Sequence, residues 1–148
     1  MQPLNFKAYT FHFKNSKNNT YIFDSIRKKF VVLQPEEWVR QHVVNFLIKE
    51  KKYPKSIINI EKQIKVNSLK KRFDIVVFNS DSSIKILVEC KSPNIKINQA
   101  TFDQIAQYNI KLKAEYLMVT NGLNHYYCQI DHIEEKYAFL REIPDFSR

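Results

Sequence analysis

Three charged residues stand where strand-forming apolar residues would be expected. Asp74, Glu89 and Lys91 interrupt the runs Arg72-Phe-Asp-Ile-Val-Val-Phe-Asn79 and Ile84-Lys-Ile-Leu-Val-Glu-Cys-Lys91. Burying a charge among β-branched neighbours is costly unless it is paired or bound to a metal. Asn79-Ser-Asp-Ser-Ser83 between the runs is polar turn chemistry and predicts an antiparallel hairpin. With Asn79 opposite Ile84, Asp74 falls opposite Glu89, and such partners have Cβ atoms about 4.5–5.5 Å apart. Lys91, two residues beyond Glu89, points to the same face. Two carboxylates this close repel. A divalent cation is the usual remedy, and it leaves the lysine to hold an anionic oxygen. The bland alternative is a structural ion-pair network on an exposed sheet face.

The elements that position these residues are legible as hydrophobic periods. Pro35 opens a helix with Glu36 and Glu37 in its first turn, and Val39, Val43, Phe46 and Leu47 recur at helical spacing to about Glu50. At 100° per residue Glu36 shares the face of Val43 and Leu47, whereas Glu37 points away. An acid on that stripe at a helix start is unusual, although acids favour helix starts in any case. A strand follows over 57–66, then the hairpin, which ends at Ser92-Pro93. A second helix spans about 98–112, and Tyr116–Thr120 is a short buried strand. Strand, crossover helix and strand give a parallel pair, so the sheet is predicted to be mixed. Residues 125–129 and 137–140 read as small closing strands after the Asn121-Gly122 turn. At the other end, 6–13 reads as an edge strand and 15–19 as a loop. Residues 21–23 and 30–33 read as short strands around the basic turn Arg27-Lys-Lys29. The fold class is α/β (α+β), a mixed sheet flanked by helices in the order αβββαβ, with extra strands at both termini.

A length of 148 residues predicts one domain, with 1–33 as an N-terminal strand extension, about 34–122 as the core, and 123–148 as C-terminal strands. Hydrophobic content of 44% and aromatic content of 14% exclude a disordered chain. The net charge of +9 points to a polyanionic partner, nucleic acid before membrane surface, or else to a solvated basic surface. Cys90, mid-strand in an apolar run, reads as a reduced core residue; neither it nor Cys128 lies at metal-ligand spacing with histidine, and the four histidines have no partners at such spacing. A single glycine, Gly122, excludes a phosphate-cradling loop or a dinucleotide turn, so no nucleotide cofactor is expected. No apolar run nears the roughly 18 residues of a membrane span and no signal peptide is apparent. A cytoplasmic location without membrane association is therefore expected.

Several motifs together resemble the PD-(D/E)XK nuclease superfamily, specifically the N-terminal domain of type I restriction enzyme R subunits. They are Pro-Glu-Glu-Trp-Val-Arg40, Arg72-Phe-Asp74, Val88-Glu-Cys-Lys91 with Ser92-Pro93, Gln104-Ile-Ala-Gln-Tyr108 and Thr120-Asn-Gly122. Phe73 stands where the superfamily name has proline, and no helicase follows within this sequence. The resemblance implies a Mg²⁺-dependent endonuclease acting on DNA, with Mn²⁺ as a substitute ion. Asp74, Glu89 and the backbone carbonyl of Cys90 would ligate the metal, and Lys91 would position the attacking water or stabilise charge at the phosphate. Glu36 would contribute directly or through water. Gln104 and Tyr108, neighbours on one helical face, would support the site and contact the nucleic-acid backbone. Lys70, Lys71 and Arg72 would form a phosphate-contacting lip. A helicase or restriction–modification subunits would come from another chain. The alternative is a nucleic-acid-binding or assembly module that keeps the fold and cleaves nothing; a third reading is an RNA- or nucleotide-processing enzyme with the same metal centre.

Overall fold

The computed structural model describes residues 1–66 and 69–148. Three short strands open the chain: β1 (Phe13–Ser16), β2 (Asn19–Asp24) and β3 (Lys29–Val32), forming an antiparallel sheet in the order β1-β2-β3. The β1–β2 turn is Lys17-Asn18, both at positive φ, the two-residue geometry that suits the twist of a hairpin. Asn15 and Ser16 are therefore paired strand residues, not loop. Residues 6–12 form no strand. Their aromatic rings instead lie against α1 (Pro35–Asn45), with Phe11 5.0 Å from Trp38 and Phe6 5.8 Å from His42.

A π-helical turn (Phe46–Glu50) continues α1. The main sheet follows: β4 (Ile58–Val66), β5 (Leu69–Phe78), β6 (Ile84–Cys90), then α2 (Gln99–Leu112), β7 (Tyr116–Thr120), β8 (His125–Asp131) and β9 (Lys136–Leu140). Its six strands lie in sequence order, antiparallel except for the parallel pair β6–β7 that the α2 crossover creates. The chain is thus mixed α+β, with two sheets and two α-helices. No helix among the described residues is long and apolar enough to cross a membrane.

The main sheet has a core on each face. Val39, Val43 and Val44 of α1 and Leu47 of the π-helical turn pack on Ile75, Val77, Ile86 and Val88, while Phe102, Ile105 and Ala106 of α2 pack on Val76, Leu87, Leu117 and Val119. The central strand β6 is apolar on both faces because both are covered. Asn98 caps α2 by accepting the Thr101 N–H at 2.8 Å.

Gly122 occupies a tight corner. Its φ is +87°, and a Cβ there would lie 2.9 Å from Leu4 Cδ2 and 3.0 Å from Val39 Cγ2. The Asn5 N–H donates to its carbonyl at 2.8 Å, drawing the N-terminal segment over the end of β7. Gly122→Ala should cost about 1–3 kcal/mol of stability through left-handed strain alone. Chemical denaturation reads this as a lowered midpoint; an unchanged midpoint would contradict the assigned geometry.

Candidate active site

The β5–β6 pairing fixes where the acids go. Ile75↔Val88, Val76↔Leu87 and Val77↔Ile86 carry the register expected from the sequence, although a bulge at Val77/Phe78 sets Phe78 opposite Ile84 at the turn. The paired region stops at Ile75↔Val88, so Asp74 and Glu89 lie just beyond it. There the pleat slips. Phe73 packs on the α2 side and Ile75 on the α1 side, although strict alternation would put both on one side. In β4, Ile60 and Ile64 are divided in the same way, and between them Glu61 has φ +53°. The β4–β5 ladder passes from Ile60↔Ile75 to Lys62↔Phe73 without pairing Glu61 to Asp74. Irregularities of this kind re-aim a side chain at the end of a pairing.

Asp74 is thereby held from two directions. Its Oδ1 accepts from Arg40 Nη2 at 2.9 Å, and its Oδ2 accepts the Cys90 N–H at 2.8 Å. Cys90 follows Glu89 directly, so the Asp74 carboxylate is bound at the end of β6, near enough for its charge to act on Glu89. Glu89 is buried, and its Oε1 has no hydrogen-bond partner among the described residues; Lys71 Nζ stands 3.5 Å away. Burial first, then the charge of Asp74, pushes the Glu89 carboxyl above its ordinary range, and Lys71 and Lys91 offset only part of this. Burial, followed by the Asp74 charge, also raises Glu36, against the pull of Arg40 and Lys91. Lys91 lies just past β6, and its backbone N–H donates to the Thr120 carbonyl at 2.8 Å. Its charge reaches both Glu36 and Glu89.

The first helix departs from the sequence expectation. Glu36 is exposed at the mouth of the cluster, and Glu37 is the buried acid, because α1 is covered on two sides and not one. Glu37 turns toward the small sheet. Arg27 and Arg40 both donate to its Oε1, at 2.8 and 2.7 Å. Arg27 also donates to Asp24 at 2.6 Å, and Gln41 bridges Asp24 and Glu37. A buried chain of charges therefore runs from the β2–β3 corner through Glu37 and Arg40 to Asp74. The sequence reading left Arg40 without a role. Its spacing of three and four residues from the two helix-start acids, which puts all of them within reach on a helix, was the available signal.

The remaining site residues divide. Tyr108 is half-buried, and Lys71 Nζ lies 4.6 Å from its ring and 5.0 Å from that of Phe73. Lys71 thus faces the cluster, whereas Lys70 and Arg72 point to solvent. Gln104, one turn before Tyr108, is exposed. Cys90 is fully enclosed, and burial pushes its thiol well above its ordinary value, leaving its backbone as the part able to act.

No group of three or more His, Cys, Asp or Glu side chains among the described residues converges closely enough to enclose an ion. The donor chemistry nonetheless suits a hard divalent cation, which needs only one or two carboxylates and keeps several waters. Glu89 Oε1 is a buried oxygen in want of a partner, beside a second carboxylate.

Fold and site together define an α+β protein that places a buried acid, a half-buried acid, a third acid at the rim and two lysines around the point where its central hairpin splits. The chain belongs to the family described as the type I restriction enzyme R protein N terminus, whose model matches residues 35–144. No curated protein matches it.

The raised Glu89 carboxyl makes a prediction about the metal-free protein. A carboxyl lifted by folding opposes stability above its folded pKa and ceases to do so below its unfolded value, about 4.3. Glu89→Gln should therefore raise the thermal midpoint at pH 7 in the presence of a chelator, and the gain should vanish below about pH 4. A lowered midpoint at pH 7 would show that the charge is satisfied where it stands.

Proposed function

We propose that this chain is a Mg²⁺-dependent endonuclease domain that hydrolyses DNA phosphodiester bonds, built on the PD-(D/E)XK plan. The observation that supports the reading is the Asp74 carboxylate bound to the Cys90 amide where β5 and β6 part, with the charges of Asp74 and Lys91 acting on both Glu89 and Glu36. The succession α1, β4, β5, β6, α2, β7 supports a restriction-endonuclease-like αβββαβ core. Membership of the type I restriction enzyme R protein family supports DNA as substrate, with other restriction–modification subunits as partners.

Asp74 and Glu89, with the Cys90 carbonyl, would hold the ion, and Mn²⁺ would serve in its place. The chemistry a bound Mg²⁺ supplies is activation of a water and stabilisation of charge developing at phosphorus. Arg40 and the Cys90 amide hold the Asp74 carboxylate in one orientation, so little reorganisation is left for ion binding. Lys91, its backbone tied to β7, offers its ammonium to the attacking water or a phosphate oxygen. Glu36 orients a water at the open side. Gln104, Lys70 and Arg72 are exposed and face an incoming strand, in keeping with the +9 net charge.

A second reading, a nucleic-acid-binding or assembly module that cleaves nothing, draws on the cations already facing both acids, Arg40 and Lys71. Supercoiled plasmid separates the two. With Mg²⁺, the wild type should nick it, and Asp74→Ala or Lys91→Ala should slow nicking by about 10²–10³. Equal nicking by all three would assign the activity to a contaminant. DNA binding without nicking under any divalent ion would favour the module.

A further inference from the structure

Lys71 is the side chain in this cluster whose place the proposed chemistry does not require. As one of three consecutive basic residues it reads as a surface contact, yet it is turned inward and only 31% exposed. Two aromatic faces hold its ammonium, Phe73 from its own strand at 5.0 Å and Tyr108 from α2 at 4.6 Å. Such rings attract a cation and restrict its side chain. The ammonium stands 3.5 Å from Glu89 Oε1, the buried oxygen that has no hydrogen-bond partner. It therefore sits at ion-pair range from that acid, at a separation too long for a strong hydrogen bond.

Asp74 contrasts with this arrangement. Arg40 donates to it at 2.9 Å and is itself tied to Glu37, so that contact forms part of the buried framework. Lys71 has no such second anchor among the described residues. One acid is locked and the other is attended by a cation on a flexible stem.

We propose that Lys71 is an internal counter-ion that competes with the divalent cation for Glu89, so that ion binding displaces it from that acid. This rests on the metal-dependent reading above. In the metal-free protein Lys71 offsets the repulsion between Glu89 and Asp74, and the aromatic pair keeps it near. An arriving ion brings two positive charges to the same oxygen and repels the ammonium. Lys71 is then released toward the open side, where a phosphate can receive it. It is a positioning residue: it sets how tightly the ion is held.

Mn²⁺ titration calorimetry on the full chain tests this. Lys71→Met should tighten Mn²⁺ binding by about 1.5- to fivefold, the range of a partly exposed ion pair. Lys71→Arg should bind more like the wild type. Lys70→Met, which removes an exposed charge of the same sign one residue away, should change affinity less than Lys71→Met. Tyr108→Leu, which loosens the aromatic clamp, should also tighten binding and serves as the test if Lys71→Met does not fold. Unchanged or weaker Mn²⁺ binding in Lys71→Met, or in Tyr108→Leu where that variant must stand in, overturns the inference while the metal site stands. Equal tightening by Lys70→Met and Lys71→Met also overturns it, since the effect would then be one of net charge. Failure of the wild type to bind Mn²⁺ overturns the metal-dependent reading itself, and this inference with it.

Discussion

The contact on which the rest depends is the ion pair between buried Arg40 and half-buried Asp74. Asp74 leaves the regular pleat at the point where β4 and β5 skip a pair, and a carboxylate freed from its strand could turn several ways. Arg40 and the Cys90 amide settle its direction. A largely buried pair of this kind need not stabilise a fold relative to apolar packing, but removing one partner strands the other at high cost. Its value lies in specification. It fixes one acid so that a second, Glu89, can be left with an unsatisfied oxygen beside it.

The pair is also the end of a longer chain of charges. Asp24 accepts from the amides of its own turn and from Arg27; Arg27 and Arg40 share Glu37; Arg40 reaches Asp74. The three-stranded sheet therefore does more than cover α1. Through Glu37 it presses the arginine toward the strand end, linking the geometry of the first 33 residues to that of the site. This also accounts for a helix whose polar residues Glu37, Arg40, Gln41 and His42 are buried together with its valines.

Much of this was legible in the sequence, and what was not has definite causes. The main-sheet strands, both helices and the mixed pairing follow from local periodicity, and Tyr116–Thr120 falls where its apolar run predicts. The hairpin register over Ile75–Val77 follows from the apolar pattern, because a slip by one residue would turn core residues such as Ile75 and Val77 outward, whereas the turn itself differs, with Phe78 and not Asn79 opposite Ile84. Three features lay beyond such reasoning. Which of Glu36 and Glu37 is buried depends on the second sheet behind α1, a tertiary fact invisible to a single-stripe helix projection. The pleat slip at Asp74 needs a matching irregularity at Glu61, thirteen residues away in another strand. Lys71 is distinguished from Lys70 and Arg72 by partners from three elements, Phe73 on its own strand, Glu89 on β6 and Tyr108 on α2, the last of which the chain brings beside it after a long crossover.

Direct observation of an ion would test the central claim most plainly. A crystal of the protein soaked in Mn²⁺ should show an anomalous peak within ligand distance of both the Asp74 and Glu89 carboxylates, with Arg40 still paired to Asp74. A soaked crystal with no peak between those two acids, or with manganese bound only elsewhere, would contradict the account.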